Sequence, residues 1–305
     1  MKSQHIKMLC VLYLYTCLYN LNAQQTPVFA DYNYNTVIIN PAHAGYYPDT
    51  DVTLTNRGYF SQIEGGPRTT AVVFSTPMRS ENMGLGAGVL YDEIGVTSLT
   101  NAFVSYAYKI QFKNNYNRVR WWSHNPSLLS FGLTAGFIHY SEDLISLGIQ
   151  NDPNFENNIN TIIPSLGAGI LFNREHIYLG LSAPNLISDV FDSSQNINVE
   201  NVFYGYGGYR FFATRFQEFL INPSVLLKYV SGAPFQADFN TIVNYKNKFE
   251  IGGGYRTDSS INLLAGFQIL KRWKFLYSYN QTLRNTVVNN SHGIIIKYHF
   301  GNGLM

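Results

Sequence analysis

The chain has 305 residues, of which 13% are charged and 15% are aromatic, and its formal net charge is +2 at pH 7. This near-neutral charge, without a basic stripe, argues against nucleic-acid binding. Mean hydropathy is -0.09, and beyond the N-terminus no stretch approaches the roughly 20 apolar residues of a spanning helix, which excludes a helical membrane protein.

The first element of the chain has the pattern of an export signal. Lys2 and Lys7 form a basic start, a largely apolar run follows from Met8 to Leu21, and Ala23 offers a small residue to a signal peptidase. We therefore expect a signal peptide over residues 1–23.

Both cysteines, Cys10 and Cys17, lie within this signal. The mature chain would then have no disulfide, no thiol nucleophile and no thiolate metal site. The competing interpretation makes Cys17 a lipid attachment site, but Thr16 before it is larger than the Gly or Ala expected there.

After the signal, the dominant pattern is an alternation of apolar and polar residues in segments of about ten residues. In the clearest segment, the aromatic residues Trp273, Phe275, Tyr277 and Tyr279 occupy every second position. Since successive strand side chains point to opposite faces, each segment has one apolar and one mixed face. Repeated along an exported chain, this pattern predicts an all-β fold, a transmembrane antiparallel β-barrel of the outer membrane. One or two soluble β domains are the structural alternative.

The alternation predicts about fourteen strands within a barrel over residues 51–305, preceded by a lead-in segment over residues 24–50. The strands are expected at 51–59, 69–77, 84–91, 98–112, 127–141, 164–173, 176–183, 201–212, 218–230, 235–245, 248–256, 260–270, 273–282 and 291–300. With a periplasmic N-terminus, even-numbered connections become short periplasmic turns and odd-numbered ones become surface loops. The long connections 142–163 and 184–200 fall outside as expected, whereas 113–126 is long yet falls on the periplasmic side.

Glycines share one strand face in several of these segments. Gly84, Gly86 and Gly88 do so in one predicted strand, and Gly167 and Gly169 in another. Such ladders mark strong bends, or faces that another backbone or a plug approaches closely. A phosphate-binding loop is the alternative, but the last glycine of that motif is missing.

Catalytic and metal-binding motifs find no support in the sequence. The serine-hydrolase, zinc-protease and C-x-x-C patterns are absent. The histidines are scattered over different segments, and Asp49 and Asp51 lack the glycine and distal glutamate of a calcium loop. We expect no catalytic residue, cofactor or metal, although a hydrolase whose Ser/His pair is brought together across strands stays open.

A more specific resemblance begins in the lead-in segment. Ile39-Asn40-Pro41-Ala42-His43-Ala44-Gly45 resembles the I-N-P-A-x-A-G signature of the PorP/SprF family, the type IX secretion and gliding-associated outer-membrane proteins. Asn56-Arg57 and Gly65-Gly66-Pro67-Arg68-Thr69 resemble the next family stretch, and pieces such as Ala183-Pro184-Asn185-Leu186 follow in order. The resemblance covers essentially the whole mature chain.

The resemblance makes seven motif residues candidates for either a structural role or a partner contact: Asn40, Pro41, Ala42, Gly45, Arg57, Gly65 and Pro67. Pro41 restricts Asn40 to an extended conformation, and Gly45 permits a tight bend before the first strand. Residues 31–48 are therefore expected to form an ordered segment, tucked into or under the barrel.

Charge is sorted by side in this register. Arg57 and Lys228 lie in predicted strands and should face the lumen, because a lipid-facing charge at mid-depth costs about 2–4 kcal/mol. The periplasmic connections are rich in Lys and Arg, and the surface loops in Asp and Glu. One interpretation is a basic ring that docks an acidic periplasmic protein, with these residues of the long inner turn in contact: Arg118, Arg120, Trp121 and Trp122. The other is that both rims are simply solvated.

The family resemblance implies a non-enzymatic barrel that supports type IX secretion and the surface attachment of secreted cargo, such as adhesin-like or gliding proteins, in Bacteroidota. The implied partners are outer-membrane lipid, type IX secretion components, the cargo and a periplasmic protein, without nucleic acid. A passive porin or small-solute channel is the alternative, and it would conduct continuously where a plugged barrel would not. An outer-membrane enzyme is a further alternative, and it needs a catalytic constellation at one rim.

Overall fold

A computed structural model describes residues 32–58, 65–112, 124–149, 152–186, 201–213, 218–283 and 290–301 of the chain. The helices in these ranges are short: α1 (Thr36–Ile39) and three 3-10 helices at Pro41–His43, Ile145–Leu147 and Pro153–Phe155. None of the helices described is both long and apolar enough to cross a bilayer.

Fifteen strands make up most of the described chain. They are β1 (Asp51–Gly58), β2 (Arg68–Pro77), β3 (Met83–Ile94), β4 (Thr97–Gln111), β5 (Leu128–Glu142), β6 (Ile159–Asn173), β7 (Ile177–Ala183), β8 (Val202–Tyr209), β9 (Phe211–Ala213), β10 (Phe219–Val230), β11 (Gln236–Tyr245), β12 (Phe249–Arg256), β13 (Ser260–Ile269), β14 (Trp273–Thr282) and β15 (Asn290–His299). Strands that follow one another in the chain pair antiparallel, except that β8 and β9 both pair with β10 rather than with each other. The pairing of β15 with β1 closes the sheet into a barrel.

The wall of the barrel contains fourteen strand positions, because β8 and β9 share one. Both pair with β10, through Gly208 opposite Ser224 in β8 and Phe211 opposite Ile221 in β9. Between these pairs, β10 contains Pro223, which has no N–H to donate to the ladder. The expected number of about fourteen strands is therefore confirmed, and Arg210 marks the interruption.

Alternation along the strands separates an apolar exterior from a mixed lumen. In β14, Trp273 and Tyr277 point outward and are 41% and 46% exposed, while Leu276 and Ser278 on the opposite face are 3% and 2% exposed. Large apolar side chains are exposed in the same way on strands all round the barrel. A closed barrel with an apolar exterior satisfies every wall strand's backbone within the sheet, which is what a bilayer demands.

The two ends of the barrel differ in their connections. We call the end that holds the connections after β2, β4, β6, β9, β11 and β13 the turn rim; it includes the tight turns between β11 and β12 and between β13 and β14. The other end, the loop rim, holds the longer connections that follow β5 and β7. The end of β4 and the start of β5, which the 113–126 connection joins, lie at the turn rim, as the predicted register requires.

Candidate functional site

The described part of the lead-in segment, residues 32–50, lies inside the barrel. Three of its side chains, Tyr32, Ile39 and Ala42, are buried in a cluster with residues from five wall strands: Leu128, Leu171, Tyr178, Tyr206 and Leu226. This cluster combines side chains from β5, β6, β7, β8 and β10 with a segment that precedes all of them in the chain. The lead-in therefore packs as part of the lumen rather than as a tail.

Asn40 is the centre of the motif and has no exposed surface. Its side-chain oxygen accepts a hydrogen bond from the Ala42 amide at 2.9 Å and so caps the 3-10 helix. Its side-chain nitrogen donates to the Ile170 carbonyl at 3.1 Å and to the Tyr206 hydroxyl at 2.9 Å. The oxygen of the Asn40 amide thus bonds within the motif, and its nitrogen bonds to the barrel wall.

The main chain of the motif is bonded by side chains of the wall. Ser182 donates to the Ile39 carbonyl at 2.6 Å, and Ser130 donates to the Ala42 carbonyl at 2.8 Å. The Gly45 amide donates to Ser75 at 2.9 Å, and Lys109 donates to the Gly45 carbonyl. Buried backbone groups need partners, and here inward-facing side chains of β2, β4, β5 and β7 supply them.

Three glycines on inward faces give the motif its space. A Cβ on Gly132 would lie 2.2 Å from the Ala42 nitrogen, and one on Gly84 would lie 2.1 Å from the Ala44 oxygen. A Cβ on Gly169 would meet the Asn40 side-chain oxygen at 2.1 Å. The expectation that a backbone or plug approaches the glycine ladders is confirmed at Gly84 and Gly169, while Gly88 instead faces the Phe103 ring.

The N-terminal part of the lead-in reaches the other side of the lumen. The Tyr32 hydroxyl lies 3.0 Å from Ser224 Oγ on β10, and Tyr34 donates to Glu250 on β12 at 2.9 Å. With these contacts, hydrogen bonds of the lead-in reach ten of the wall strands: β1, β2, β4, β5, β6, β7, β8, β10, β11 and β12. The segment therefore spans the lumen from wall to wall.

An aromatic cluster extends from the motif toward the turn rim. His43 stacks on Tyr206 and shares a 2.6 Å hydrogen bond with its hydroxyl, and Tyr46 packs against His43 and His124. Burial is the main cause that lowers the pKa of His43 from 6.5 to about 3, and the nearby Arg210 adds to it. Burial also lowers the pKa of His124. Both imidazoles are neutral at pH 7.

A cavity of about 190 Å³ lies between the lead-in and the turn rim. Its walls include Tyr46 and Tyr47 of the lead-in, and Tyr178, Arg210 and Asn222 of the barrel. Arg210, which interrupts the β8–β9 strand, stacks over Tyr178 with its guanidinium carbon 4.6 Å from the ring centre. Neither Arg210 nor Tyr206 stands out in the sequence, because each acts through strands that are distant along the chain.

The loop half of the lumen is lined by charged side chains of the strands themselves. Arg256 donates twice to Asp238, at 2.7 Å for each bond, and the two side chains are 4% and 1% exposed. Arg57 faces the lumen, as expected, and donates to Ser291. Lys228 also faces inward and is 8% exposed.

The predicted site residues are divided between the two halves of the barrel. Asn40, Pro41, Ala42 and Gly45 lie together in the lumen at the turn end. Arg57 lies near the loop rim. There Gly65 adopts a positive φ of 75° and its carbonyl accepts from Gly95, and Pro67 precedes β2. The docking candidates Arg118, Arg120, Trp121 and Trp122 lie outside the described residues.

Within the described ranges, no group of three or more His, Cys, Asp or Glu residues is arranged to hold a metal ion. What the lumen contains instead is a short segment bonded to the wall, with a cavity beside it. The arrangement can hold a polypeptide and orient polar groups at one mouth of the barrel.

Comparison with protein families identifies the chain. The model of the type IX secretion system membrane protein family PorP/SprF matches residues 21–298. The chain belongs to the PorP/SprF family. It is thus a member of a family of secretion-associated membrane proteins, and the resemblance of its motifs to that family is confirmed. A search of curated proteins found no significant match.

Solved structures similar to this PorP/SprF chain are outer-membrane barrels of low identity. The Acinetobacter baumannii outer membrane protein Omp33 aligns with a TM-score of 0.45 and 9% identity, over 84% of this chain and 100% of its own. The P. putida toluene transporter TodX aligns with a TM-score of 0.49 and 9% identity, over 87% and 93%. A mutant of the Rh. blastica porin aligns at 0.39 and 8%, over 83% and 99%. At these values the likeness carries no argument about function.

Proposed function

We propose that this PorP/SprF protein is a non-enzymatic, plugged outer-membrane barrel that supports type IX secretion and the surface attachment of secreted cargo, such as adhesin-like or gliding proteins. The observation that carries the proposal is the lead-in segment, which hydrogen-bonds to ten wall strands across the lumen. A segment across the lumen obstructs the flow of solutes that a passive channel requires, whereas a barrel that serves as a scaffold for other proteins does not need an open lumen.

The proposal includes an orientation and a processing step. A signal peptide over residues 1–23 delivers the chain to the periplasm, and the lead-in over residues 24–50 enters the barrel formed by residues 51–305. The turn rim faces the periplasm and the loop rim faces the cell surface. Support comes from the tight turns at one rim, such as 246–248 and 270–272, and from the length of the connections after β5 and β7 at the other.

The same proposal assigns a partner to the turn rim. Its described turns are rich in basic residues: Arg79, Arg174, Lys246, Lys248, Lys271 and Arg272. We infer that these residues, with Arg118, Arg120, Trp121 and Trp122 of the inner connection, contact an acidic periplasmic component of the secretion machinery. Charges at a rim chiefly accelerate association, and buried tryptophans contribute more of the affinity.

Conductance and secretion together test this function. The purified barrel in a planar bilayer should show little steady conductance, and removal of residues 32–49 should produce continuous channels. In the native bacterium, loss of the protein should leave particular type IX cargo off the cell surface, while the intact gene restores it. Continuous conductance by the unaltered barrel, with normal cargo display in its absence, would establish the porin alternative instead.

A further inference from the structure

The cavity at the turn rim is lined mainly by polar and aromatic side chains. Its volume is about 190 Å³, below the roughly 300–1,000 Å³ of sites for drug-sized ligands. A folded domain does not enter such a space. The end or a short stretch of an extended chain does.

The aromatic rings around the cavity are already covered on their faces. Arg210 lies over Tyr178, Lys274 lies 5.3 Å from the centre of the Tyr34 ring, and His43 stacks on Tyr206. A sugar is recognised largely by stacking on open aromatic faces, so this cavity is poorly suited to one. The tyrosines of the cavity wall therefore present their hydroxyl groups and ring edges, rather than their ring faces, to a ligand.

Amide side chains supply most of the other polar groups in the cavity wall. Six asparagines contribute: Asn33, Asn125, Asn173, Asn222, Asn244 and Asn247. An amide offers two donors and an acceptor, the complement of a peptide main chain. Asparagine and tyrosine side chains around a narrow cleft are therefore suited to an extended peptide.

Among the charged side chains that line the cavity, Arg210 is a cation without an ion pair to a described residue. Lys274 and Glu250 form an ion pair at 2.6 Å and neutralise each other. None of the ion pairs among described residues includes Arg210. Its guanidinium donates to the Arg174 carbonyl at 2.9 Å and to the Asn173 side chain at 2.8 Å. At least two of its five N–H groups remain for a ligand.

The position of Arg210 is fixed from several sides. Its main-chain amide donates to the His176 carbonyl at 2.6 Å, and its own carbonyl accepts from His176 Nδ1 at 2.9 Å. With Tyr178 under the guanidinium, the planar group is held in place before any ligand arrives. A preorganised guanidinium is the preferred partner of a carboxylate, because the two planar groups bond in pairs.

We propose that the cavity at the turn rim binds a carboxylate-bearing segment of an extended polypeptide, with Arg210 as the anion-binding residue and the asparagines as partners of the peptide main chain. In the proposed orientation this polypeptide comes from the periplasm. The carboxylate belongs either to a chain terminus or to an Asp or Glu side chain.

The test uses the full-length barrel, purified in detergent, and arrays of random hexapeptides. One array has free C-termini, a second has amidated C-termini, and a third set of matched pairs differs only by Asp against Asn. We expect binding to be enriched at least tenfold in carboxylate-bearing members, and the arrays identify which carboxylate is used. The assay does not depend on secretion or conductance, so it can fail while the proposed function stands.

Variants connect the binding to Arg210. Arg210→Gln should lose the enrichment, and Arg210→Lys should keep only part of it, because an ammonium cannot bond in pairs. Arg68→Gln is the control: it removes an exposed cation from the loop rim, away from the cavity and from the basic surface of the turn rim, and should bind as the unaltered barrel does. Heat-modifiable mobility on gels confirms that each variant is folded.

Three outcomes overturn the proposal. Binding that ignores the carboxylate, or that survives Arg210→Gln, removes Arg210 from the site. Equal loss in Arg68→Gln makes the effect one of the barrel's overall charge alone. Binding that is seen only after removal of residues 24–31 shows that the cavity serves the chain's own N-terminal segment.

Discussion

The two halves of the lumen are filled by different chemistry. In the turn half, a short segment of main chain is bonded to the wall mostly by neutral side chains such as Ser130 and Ser182. In the loop half, strands place charged side chains against each other, as in the buried pair of Arg256 and Asp238. The turn half also contains the ion pairs Lys274–Glu250 and Lys297–Asp51, but these join wall strands to each other. Displacing the lead-in would therefore break none of these ion pairs, and among the charged wall residues Lys109 would lose its hydrogen bond to the Gly45 carbonyl.

This difference has an energetic consequence. A neutral hydrogen bond contributes a net of only about 0.5–1.5 kcal/mol, because water replaces it when it opens. A buried charge that loses its partner costs about 3–5 kcal/mol. The loop half is therefore expected to hold the barrel's shape, and the turn half to hold a segment that can be displaced.

The largest effect is expected in the loop half. Asp238→Ala leaves Arg256 buried without its carboxylate and should destabilise the barrel by about 3–5 kcal/mol. The measurement is the urea-unfolding midpoint, followed by tryptophan fluorescence in lipid vesicles. The matched control is Asp258→Ala, an exposed carboxylate in the turn after β12.

The double variant Asp238→Leu with Arg256→Met sharpens this comparison. It removes both charges and should recover most of the lost stability. If the single variant unfolds at the midpoint of the unaltered barrel, the pair does not maintain the barrel and the contrast between the two halves is wrong.

A smaller effect is expected in the turn half, with a different readout. Gly132→Ala places a methyl group against the Ala42 main chain and should cost about 1–3 kcal/mol. Because the barrel wall remains intact, the lead-in should shift and steady conductance should rise. Gly253→Ala is the control, since the nearest atom to its Cβ would lie at 3.6 Å. An unfolded barrel in Gly132→Ala would show that the segment is part of the wall's own stability.

The smallest effect is a dependence on pH. Burial lowers the pKa of His43 from 6.5 to about 3. The unfolded chain therefore binds a proton that the folded chain excludes, so this stability is complete above pH 6.5 and declines as pH falls toward 3. At pH 5.5, one pH unit below the pKa of 6.5 in the unfolded chain, the loss of stability should be roughly 1 kcal/mol.

His43→Gln keeps a polar group beside Tyr206 but cannot titrate, so it isolates this term from other groups. Unfolding midpoints at pH 7.5 and 5.5 should differ more for the unaltered barrel than for the variant. Identical pH dependence in the two proteins would mean that His43 stays solvated and that its site is less dry than the contacts indicate.

Much of the barrel could be predicted from local pattern alone. Alternation with a period of two placed Trp273 and Tyr277 on one apolar face of their strand, and in the structure this face points outward. It also placed the long 113–126 connection at the same rim as the tight turns. These inferences succeed because each strand's two faces are set by its own residues, whatever its neighbours are.

The lead-in shows where such reasoning stops. Its motif and its family could be identified from Asn40, Pro41 and Gly45 in the sequence. That Asn40 would donate to Tyr206, 166 positions away, could not be predicted. The residues that anchor the motif are serines, glycines and a tyrosine. In the sequence, nothing distinguishes them from other residues that face the lumen.

The sequence by itself thus determined the strands, their two faces and the family. The tertiary structure alone decided which side chains meet across the lumen: Gly132 beneath Ala42, Arg256 against Asp238, and Arg210 at the cavity. The physical reason is closure. Facing residues in a barrel are set by the circumference and by the pairing of the first strand with the last, and those are properties of the whole chain rather than of any segment.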